Sequence, residues 1–544
     1  MSIKPFAITL DVGSSLSNLT GSWRSKKPVF VNRLPPCNQT CPAGENIQQW
    51  LFHAEEGNYH QAWQEIMKNN PLPAIMGRAC YHTCESSCNR AQLDETVGIH
   101  AVERFLGDLA IENGWQVEIS ARPTGKRVMV IGSGPGGLSA AYHLRLLGHE
   151  VTLFEAAPAA GGLLRYGIPR YRLPRKSLDA EIKRIETMGV EFRLNSPVKD
   201  ILKKMEEEQF DAVFAAVGAQ KPRQLDVPMD GSIECQEAIR FLRQVETNDP
   251  PPTVGDRVAI YGGGNVAIDA ARSAVRLGAK EVMVLYRRTQ DRMPAHPFEI
   301  KEALEEGVKL NCLRVINKIE DGKIFAEKMV MTDTNKPFPT GEVETIEANT
   351  VIMALGQLVD ADCCLSSIPG IKVLQGNVQV NQGMQTGHEK IFAGGDVVPC
   401  ERTITIAVGH GKKAAKNINA YLGGFSYQKP PANPPAEFKN LNTWYFSDAP
   451  KTVQPILSLI RRQSGFEEVL GNLDEGNALF EARRCLSCGN CFECDNCYGA
   501  CPDNAITKLG PGKGFKINYD YCKGCALCAT ECPCGSIDIV NETI

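Results

Sequence analysis

Near its C-terminal end the 544-residue chain writes the same spacing twice. C-x2-C-x2-C-x3-C-P runs through Cys491, Cys494, Cys497, Cys501 and Pro502, and again through Cys522, Cys525, Cys528, Cys532 and Pro533. Three thiolates from one loop and a fourth from a distant one suit a cubane, and in a run of this kind the fourth cysteine serves the other cluster. Cys491, Cys494, Cys497 and Cys532 would then hold one [4Fe–4S] cluster, and Cys522, Cys525, Cys528 and Cys501 a second. A zinc ribbon is the alternative for isolated CxxC pairs, but it does not explain two complete copies, each ending in Cys-Pro. Residues 485–544 therefore read as a small two-cluster ferredoxin-like module. Cys485 and Cys488 extend the two-residue ladder upstream of Cys491, and Cys534 follows Pro533. The repeat and its prolines set the register at Cys491, which leaves these three as structural thiols.

The remaining cysteines strengthen the metal reading. Of 21 in all, five lie between Cys37 and Cys88 and five are scattered from Cys235 to Cys400. The opening MSIKPFAITLDVG lacks a secretory pattern, so a cytoplasmic protein with reduced thiols is expected. No run of about 18 apolar residues suggests a membrane span. Lys and Arg number 59 against 63 for Asp and Glu, a balance that draws the chain to neither nucleic acid nor anionic membrane.

Two dinucleotide-binding turns occupy the middle. In RVMVIGSGPGGLSAAYHLRLLGHEVTLFE an apolar strand leads into Gly132, Gly134 and Gly137, then a helix, a second strand and Glu155. The first glycine serves a tight turn, the second a close approach to pyrophosphate and the third helix–strand packing. The pyrophosphate would sit at the helix N-terminus, and Glu155, 18 residues past Gly137, would meet a ribose hydroxyl. The second copy, RVAIYGGGNVAIDAAR, carries Gly262, Gly264, Asn265, Val266 and Ala267. Its second strand ends in Arg287 and Arg288 instead of an acid. Guanidinium groups there accommodate a 2′-phosphate, which favours NADPH over NADH; a solvated pair of arginines is the plain alternative.

The expected fold is α/β: two Rossmann-like units, an FAD domain with an NAD(P) domain inserted, between a helical Fe–S domain and the ferredoxin module. Phe214–Gly218 and Ile352–Gly356 are similar strand-to-glycine turns, taken to close the stretches before and after the insertion. The strand ending in Asp396 and a helix with its N-terminus near Thr405 add FAD contacts. The divisions are 1–120 for the N-terminal Fe–S domain, 121–230 with 350–430 for FAD, and 231–349 for NAD(P). Residues 431–484 form a Pro-rich linker and a mostly helical connector, before 485–544. Amphipathic spacing predicts helices over 47–70 and 97–113. A group of clusters thus stands at each end with a flavin between.

The motifs PPCNQTCPAGENI, GRACYHTCESSC, GSGPGGLSAA, GGLLRYGIPRYRLP, GGGNVAIDAAR, LYRRT and AGGDVV resemble the small subunit of NADPH-dependent glutamate synthase. They are also similar to the matching half of dihydropyrimidine dehydrogenase. The resemblance implies FAD on the first unit, NAD(P)H on the second and iron–sulfur clusters at the N-terminus. It adds Gly162, Leu163 and Arg172 to the FAD contacts, Arg172 near the phosphates. Two further cysteines that such proteins carry just upstream of Cys37 are absent here. Cys41, Cys80 and Cys84 match one cluster, whose fourth ligand corresponds to Glu103, while Cys37 and Cys88 match an incomplete one. One N-terminal cluster is therefore expected, held by a subset of these six residues. The ferredoxin extension and the opening TGSWR segment resemble the electron-input flavoproteins of phenylglyoxylate:NAD oxidoreductase and of the dissimilatory sulfite reductase system.

NAD(P)H releases a hydride and a cubane takes single electrons, so a flavin is needed between them. Hydride transfer runs from cofactor to cofactor, and no catalytic side chain is assigned. No CxxC pair sits in the nicotinamide unit, and no constellation for a carbon substrate is present. The expected function is an electron-transfer subunit passing electrons between NAD(P)H, FAD and [4Fe–4S] clusters to or from a partner oxidoreductase, foremost a thiamine-dependent 2-oxoacid oxidoreductase. Alternatives are a free-standing NAD(P)H:ferredoxin oxidoreductase, the NAD(P)H-oxidising partner of a sulfite reductase or glutamate synthase-like enzyme, and a non-catalytic Fe–S scaffold.

Overall fold

Two parallel sheets of five strands organise the middle of the molecule in a computed structural model that describes residues 19–22, 24–248, 250–360 and 364–542. The first sheet runs Ile391–Ala393, Ala212–Ala215, Arg127–Ile131, Glu150–Phe154 and Glu191–Arg193. Its inner strands read as near-continuous apolar runs because both faces are covered; Val128, Met129 and Val130 are fully buried. Helices Pro135–Leu146 and Ile404–Gly423 pack together against it.

The second sheet runs Lys309–Cys312, Glu281–Tyr286, Arg257–Tyr261, Thr350–Met353 and Glu234–Glu237. Residues 350–353, expected in the flavin unit, are instead an inner strand of this second sheet: Ile352 pairs with Ile260 on one side and Gln236 on the other. The chain returns to the first sheet only after Met353. The likeness of Phe214–Gly218 to Ile352–Gly356 has a different cause from the one expected. Each is the strand beside the glycine-turn strand of its own sheet. An antiparallel sheet, Arg314–Glu320, Lys323–Met331 and Pro337–Glu347, is inserted before that strand.

The N-terminal module is helical. The amphipathic stretch 47–70 forms two helices, Ile47–Glu55 and Tyr59–Met67, separated at Gly57, whose φ of +74° no helix continues. Helix Ile99–Glu112 completes a core with Trp50, Leu51, Ile66 and Leu106. The connector is far less helical than expected: within 440–484 the α-helices are Leu459–Ser464 and Glu475–Arg483. Pro450 and Pro455 keep the intervening chain extended. Its last helix places Ala478 and Ala482 in the core of the N-terminal module.

The two ends of the chain meet. Strand Lys26–Phe30 pairs antiparallel with Ile537–Asn541, the last strand of the ferredoxin module. Thr20 Oγ1 donates to the Cys522 carbonyl at 2.8 Å, and Arg24 donates to the Tyr519 and Cys522 carbonyls at 2.6 and 2.9 Å. The cluster-bearing modules therefore adjoin each other. The arrangement with the flavin between two separate cluster groups does not hold. Residues 1–18 of the expected N-terminal domain lie outside the described residues. Among the described residues no helix is long and apolar enough to cross a membrane.

Candidate functional site

The first glycine turn shows why each glycine is there. Gly132 has φ +96°, and a Cβ on it would lie 2.4 Å from the Ala216 carbonyl oxygen. A Cβ on Gly137 would lie 1.8 Å from the Gly132 oxygen, whereas one on Gly134 would meet nothing within 4 Å. Gly134 thus faces open space, in a cavity of about 610 Å³. Glu155, Gly162, Leu163, Arg402, Thr403 and Asp396 line it from the first unit, and Asn265, Val266 and Asp269 from the second. The cavity is one space shared by both nucleotide units, reaching the first glycine turn and the start of the helix after the second, with the N-terminus of helix Pro135–Leu146 directed at it.

Glu155 shapes the turn itself: it accepts from the Ser133 amide at 2.9 Å and the Ala157 amide at 2.8 Å. Burial pushes the Asp396 carboxyl up, with Arg402 pulling it back. Arg172 lines the cavity, but its guanidinium is not left free for a phosphate. It forms a two-pronged pair with Asp269 at 2.9 and 2.8 Å and an ion pair with Glu299, tying the first unit to the second. Thr405 also departs from expectation. Thr403 and Ile404 face the cavity, and Thr403 caps the helix by accepting from the Ile406 amide at 3.2 Å. Thr405 turns to the opposite side, its Oγ1 3.0 Å from Cys80 Sγ.

In the second turn Gly262 has φ +146° and a Cβ on Gly264 would meet nothing within 4 Å. Asn265 Oδ1 accepts from the His296 amide at 2.9 Å and its amide group donates to Tyr81 Oη. Tyr81, from the N-terminal module, stacks on His296 at 4.4 Å and lines the shared cavity. Sequence reasoning had no reason to single Tyr81 out; it follows Cys80 directly. Arg287 and Arg288 follow strand Glu281–Tyr286, the first exposed and the second half-buried. Among the described residues neither pairs with a carboxylate, and Arg288 Nε has no hydrogen-bond partner. Two unneutralised cations at the end of this strand suit an anionic group on the ligand. Cys235 and Cys312 lie on separate strands, and Cys363 is outside the described residues.

The structure brings the ferredoxin cysteines together crosswise. Burial, with Cys491, Cys532 and Cys494 alongside, pushes the Cys497 thiol up to about 12. Burial, with Cys522, Cys525 and Cys501 alongside, does the same for Cys528. The latter four line one small cavity of about 20 Å³. Amides point at the sulfurs, as ligating thiolates require: Ala505 N to Cys501 Sγ at 3.3 Å and Ser536 N to Cys532 Sγ at 3.4 Å.

The N-terminal cysteines sort into two groups. Cys41, Cys80 and Cys84 share one neighbourhood, with Cys37 at its edge. Burial and the nearby Glu45, Cys80 and Glu181 push the buried Glu103 carboxyl well above its usual range. Asn70 Nδ2 bridges Glu103 and Glu45, at 2.8 and 3.0 Å. Glu45, four residues past Cys41, is a second carboxylate at this site; its nearness in sequence to Cys41 was the available signal. Cys37 and Cys88 instead face Cys485 and Cys488, which sequence reasoning set aside. The signal there was the unbroken two-residue ladder from Cys485 to Cys497. Beside Cys84, His82 stacks on His100 at 3.8 Å; Glu85 bonds His100 Nδ1 and Lys451 Nζ, both at 2.6 Å, and is charge-balanced.

Comparison with known proteins places these modules. Residues 126–411 match the pyridine nucleotide-disulphide oxidoreductase family, residues 31–115 the domain II, 4Fe-4S cluster family of dihydropyrimidine dehydrogenase, and residues 490–536 the 4Fe-4S dicluster domain. The chain is 33% identical to the NADP(+)-dependent formate dehydrogenase subunit beta of Moorella thermoacetica, over 83% of this chain and 70% of that one. It is 31% identical to the NADPH-Fe(3+) oxidoreductase subunit beta of Geobacter sulfurreducens, covering 85% and 77%. It is 34% identical to the glutamate synthase [NADPH] small chain of Escherichia coli, covering 71% and 89%. The fold and these matches make the chain an oxidoreductase that uses FAD, NAD(P)H and [4Fe–4S] clusters in both its N- and C-terminal regions.

Proposed function

The chain belongs to the pyridine nucleotide-disulphide oxidoreductase family, and on that premise we propose that it exchanges electrons with NADPH at the shared cavity and relays them singly to a partner oxidoreductase. The observation that carries this reading is the contact between Thr405 and Cys80. Helix Ile404–Gly423 presents Ile404 to the cavity and Thr405 Oγ1 to a cysteine sulfur 3.0 Å away. One helix end thus joins the nucleotide site to the first thiol group.

Bound FAD supplies the conversion between a two-electron hydride and single electrons. The chain's own residues bind and orient. The turn at Gly132–Gly137, with the free amides of its helix, would hold the FAD pyrophosphate. Glu155 would accept from a ribose hydroxyl with lone pairs left over from Ser133 and Ala157. Asn265 and Val266 would hold the nicotinamide nucleotide on the far wall, and Arg287 with Arg288 its 2′-phosphate. Arg172 acts by locking the two units through Asp269 rather than by touching phosphate. We assign residues 121–230 and 354–430 to the FAD unit and 231–353 to the nicotinamide unit. Cys491, Cys494, Cys497 and Cys532 would hold one ferredoxin cluster, and Cys522, Cys525, Cys528 and Cys501 the other. Cys41, Cys80, Cys84 and the Glu103 carboxylate would hold the N-terminal cluster whose thiol Cys80 meets Thr405.

The three relatives named above are subunits or chains of larger enzymes and carry NADP or NADPH in their names, which supports a subunit role and NADPH. For the partner we propose a thiamine-dependent 2-oxoacid oxidoreductase, on the likeness of the ferredoxin extension and opening segment to phenylglyoxylate-type enzymes. Anaerobic affinity purification with flavin, iron and partner analysis is the test. One FAD per chain and a co-purifying 2-oxoacid oxidoreductase are expected. Protein without flavin would make it a scaffold, and protein that purifies alone would make it a free-standing NAD(P)H:ferredoxin oxidoreductase. Arg287→Ala with Arg288→Ala should weaken NADPH binding at least about tenfold, a loss of about 1.4 kcal/mol, and leave NADH unchanged. Equal retention of both nucleotides would overturn the 2′-phosphate assignment.

A further inference from the structure

We propose that Cys37, Cys88, Cys485 and Cys488 form a fourth [4Fe–4S] site, assembled half from the N-terminal module and half from the chain 400 residues later. The four thiols line one small cavity. None is in a disulfide. Its volume is about 20 Å³, the same as that of the cavity lined by Cys501, Cys522, Cys525 and Cys528. The molecule therefore contains a calibrated copy: two four-thiol cavities of like size, one of them the ferredoxin pattern itself.

The surroundings are those of a ligated sulfur. Asn89 Nδ2 donates toward Cys488 Sγ at 3.5 Å, and the Ser487 amide toward Cys485 Sγ at 3.4 Å. Gln48 Nε2 donates to Ser487 Oγ at 3.3 Å, so the N-terminal module also fixes the loop that carries both late cysteines. Arg90 Nη1 donates to the Arg484 carbonyl at 2.6 Å just before Cys485. The remaining wall is apolar, with Leu51, Val97 and Ile99. Four sulfurs without an oxygen or imidazole ligand select zinc or an iron–sulfur cluster. A lone zinc at about 2.3 Å from each sulfur draws its thiolates to within about 4 Å of one another. Yet among the described residues no three of these sulfurs, nor of the ferredoxin set, lie within 4.8 Å of one another. On binding, each thiol passes its proton to the thiolate it displaces from a carrier of a preassembled [4Fe–4S] unit, and its sulfur takes that ligand's place on one iron. No electron is gained or lost.

The place of this site gives it a purpose. Cys37 lies four residues before Cys41 of the flavin-side group, and Cys488 three residues before Cys491 of the ferredoxin. The site stands between the two and completes a continuous relay. The inference stands apart from which nucleotide or partner the protein uses.

The test is metal analysis of anaerobically purified full-length protein with zinc measured alongside. About sixteen iron atoms per chain and no stoichiometric zinc are expected for four cubanes. About twelve iron atoms, with or without one zinc, would overturn the proposal. Cys485→Ser with Cys488→Ser should lose about four iron atoms and one electron paramagnetic resonance signal while the ferredoxin signals persist. Cys37→Ser with Cys88→Ser, from the other module, should lose the same signal. Wild-type iron content in either folded variant would overturn it, and the wild-type count decides the matter if both variants fail to fold.

Discussion

The two cysteine-rich regions of this protein reach the same chemistry by opposite routes. In the ferredoxin module all eight thiols come from two contiguous runs, so spacing alone partitions them. In the N-terminal region the thiols are drawn from short helices and their ends at 37–41 and 80–88, and two more come from 485–488. The cores differ too. The ferredoxin core is largely its own ligands: Cys497, Cys522, Cys528, Cys532 and Cys534 are buried there beside Ala505, Ile506, Ile517 and Ile537. The N-terminal module buries Trp50, Leu51, Ile66 and Leu106, and its thiols Cys37, Cys41, Cys84 and Cys88 pack at the edge of that core instead of making it up. A motif is legible when metal binding builds the fold, and hidden when the fold builds the metal site.

That contrast can be broken most forcefully by stripping iron and sulfide. Because ligand binding supplies folding free energy to a small metal module, residues 490–536 should become fully susceptible to limited proteolysis, while helix Ile99–Glu112 stays protected. Equal loss in both regions would erase the distinction. A smaller effect comes from single ligands: Cys532→Ser should remove about four iron atoms, one cubane, by iron analysis. A third prediction concerns the strap that joins the ends. Arg24→Ala removes the bonds to the Tyr519 and Cys522 carbonyls, and hydrogen exchange at those residues should show local opening easier by about 1.5–3 kcal/mol. The smallest effect is expected at Cys534, which packs 3.8 Å from Cys532 Sγ as a buried small hydrophobe. Cys534→Ala should keep every iron atom, and loss of a cluster would make it a ligand.

Legibility followed the same line. The glycine turns were readable because their spacing is local: Gly137 meets the Gly132 oxygen of its own turn, Gly134 faces open space, and Gly132 meets the Ala216 carbonyl just past the neighbouring strand. The ferredoxin ligands were readable from spacing. Three things were not. The strand Thr350–Met353 looks like the strand Ala212–Ala215 because both flank a glycine-turn strand, and only hydrogen-bond partners tell which sheet each joins. Arg172 sits in a segment that suggests phosphate, but its partners Asp269 and Glu299 lie about 100 residues away in sequence. Cys485 and Cys488 looked spare because the residues that complete their site precede them by almost the whole chain.

The central claim is that nucleotide electrons reach the ferredoxin through the thiol sites at the junction of the two ends. Freeze-quench spectroscopy after a jump in the NADPH/NADP⁺ ratio tests it most directly, with wild-type protein beside Cys485→Ser/Cys488→Ser. In wild type, flavin absorbance and ferredoxin cluster signals should both follow the nucleotide. In the variant the flavin should follow and the ferredoxin signals should stay where they were poised. Ferredoxin signals that move as fast in the variant as in wild type would contradict the account.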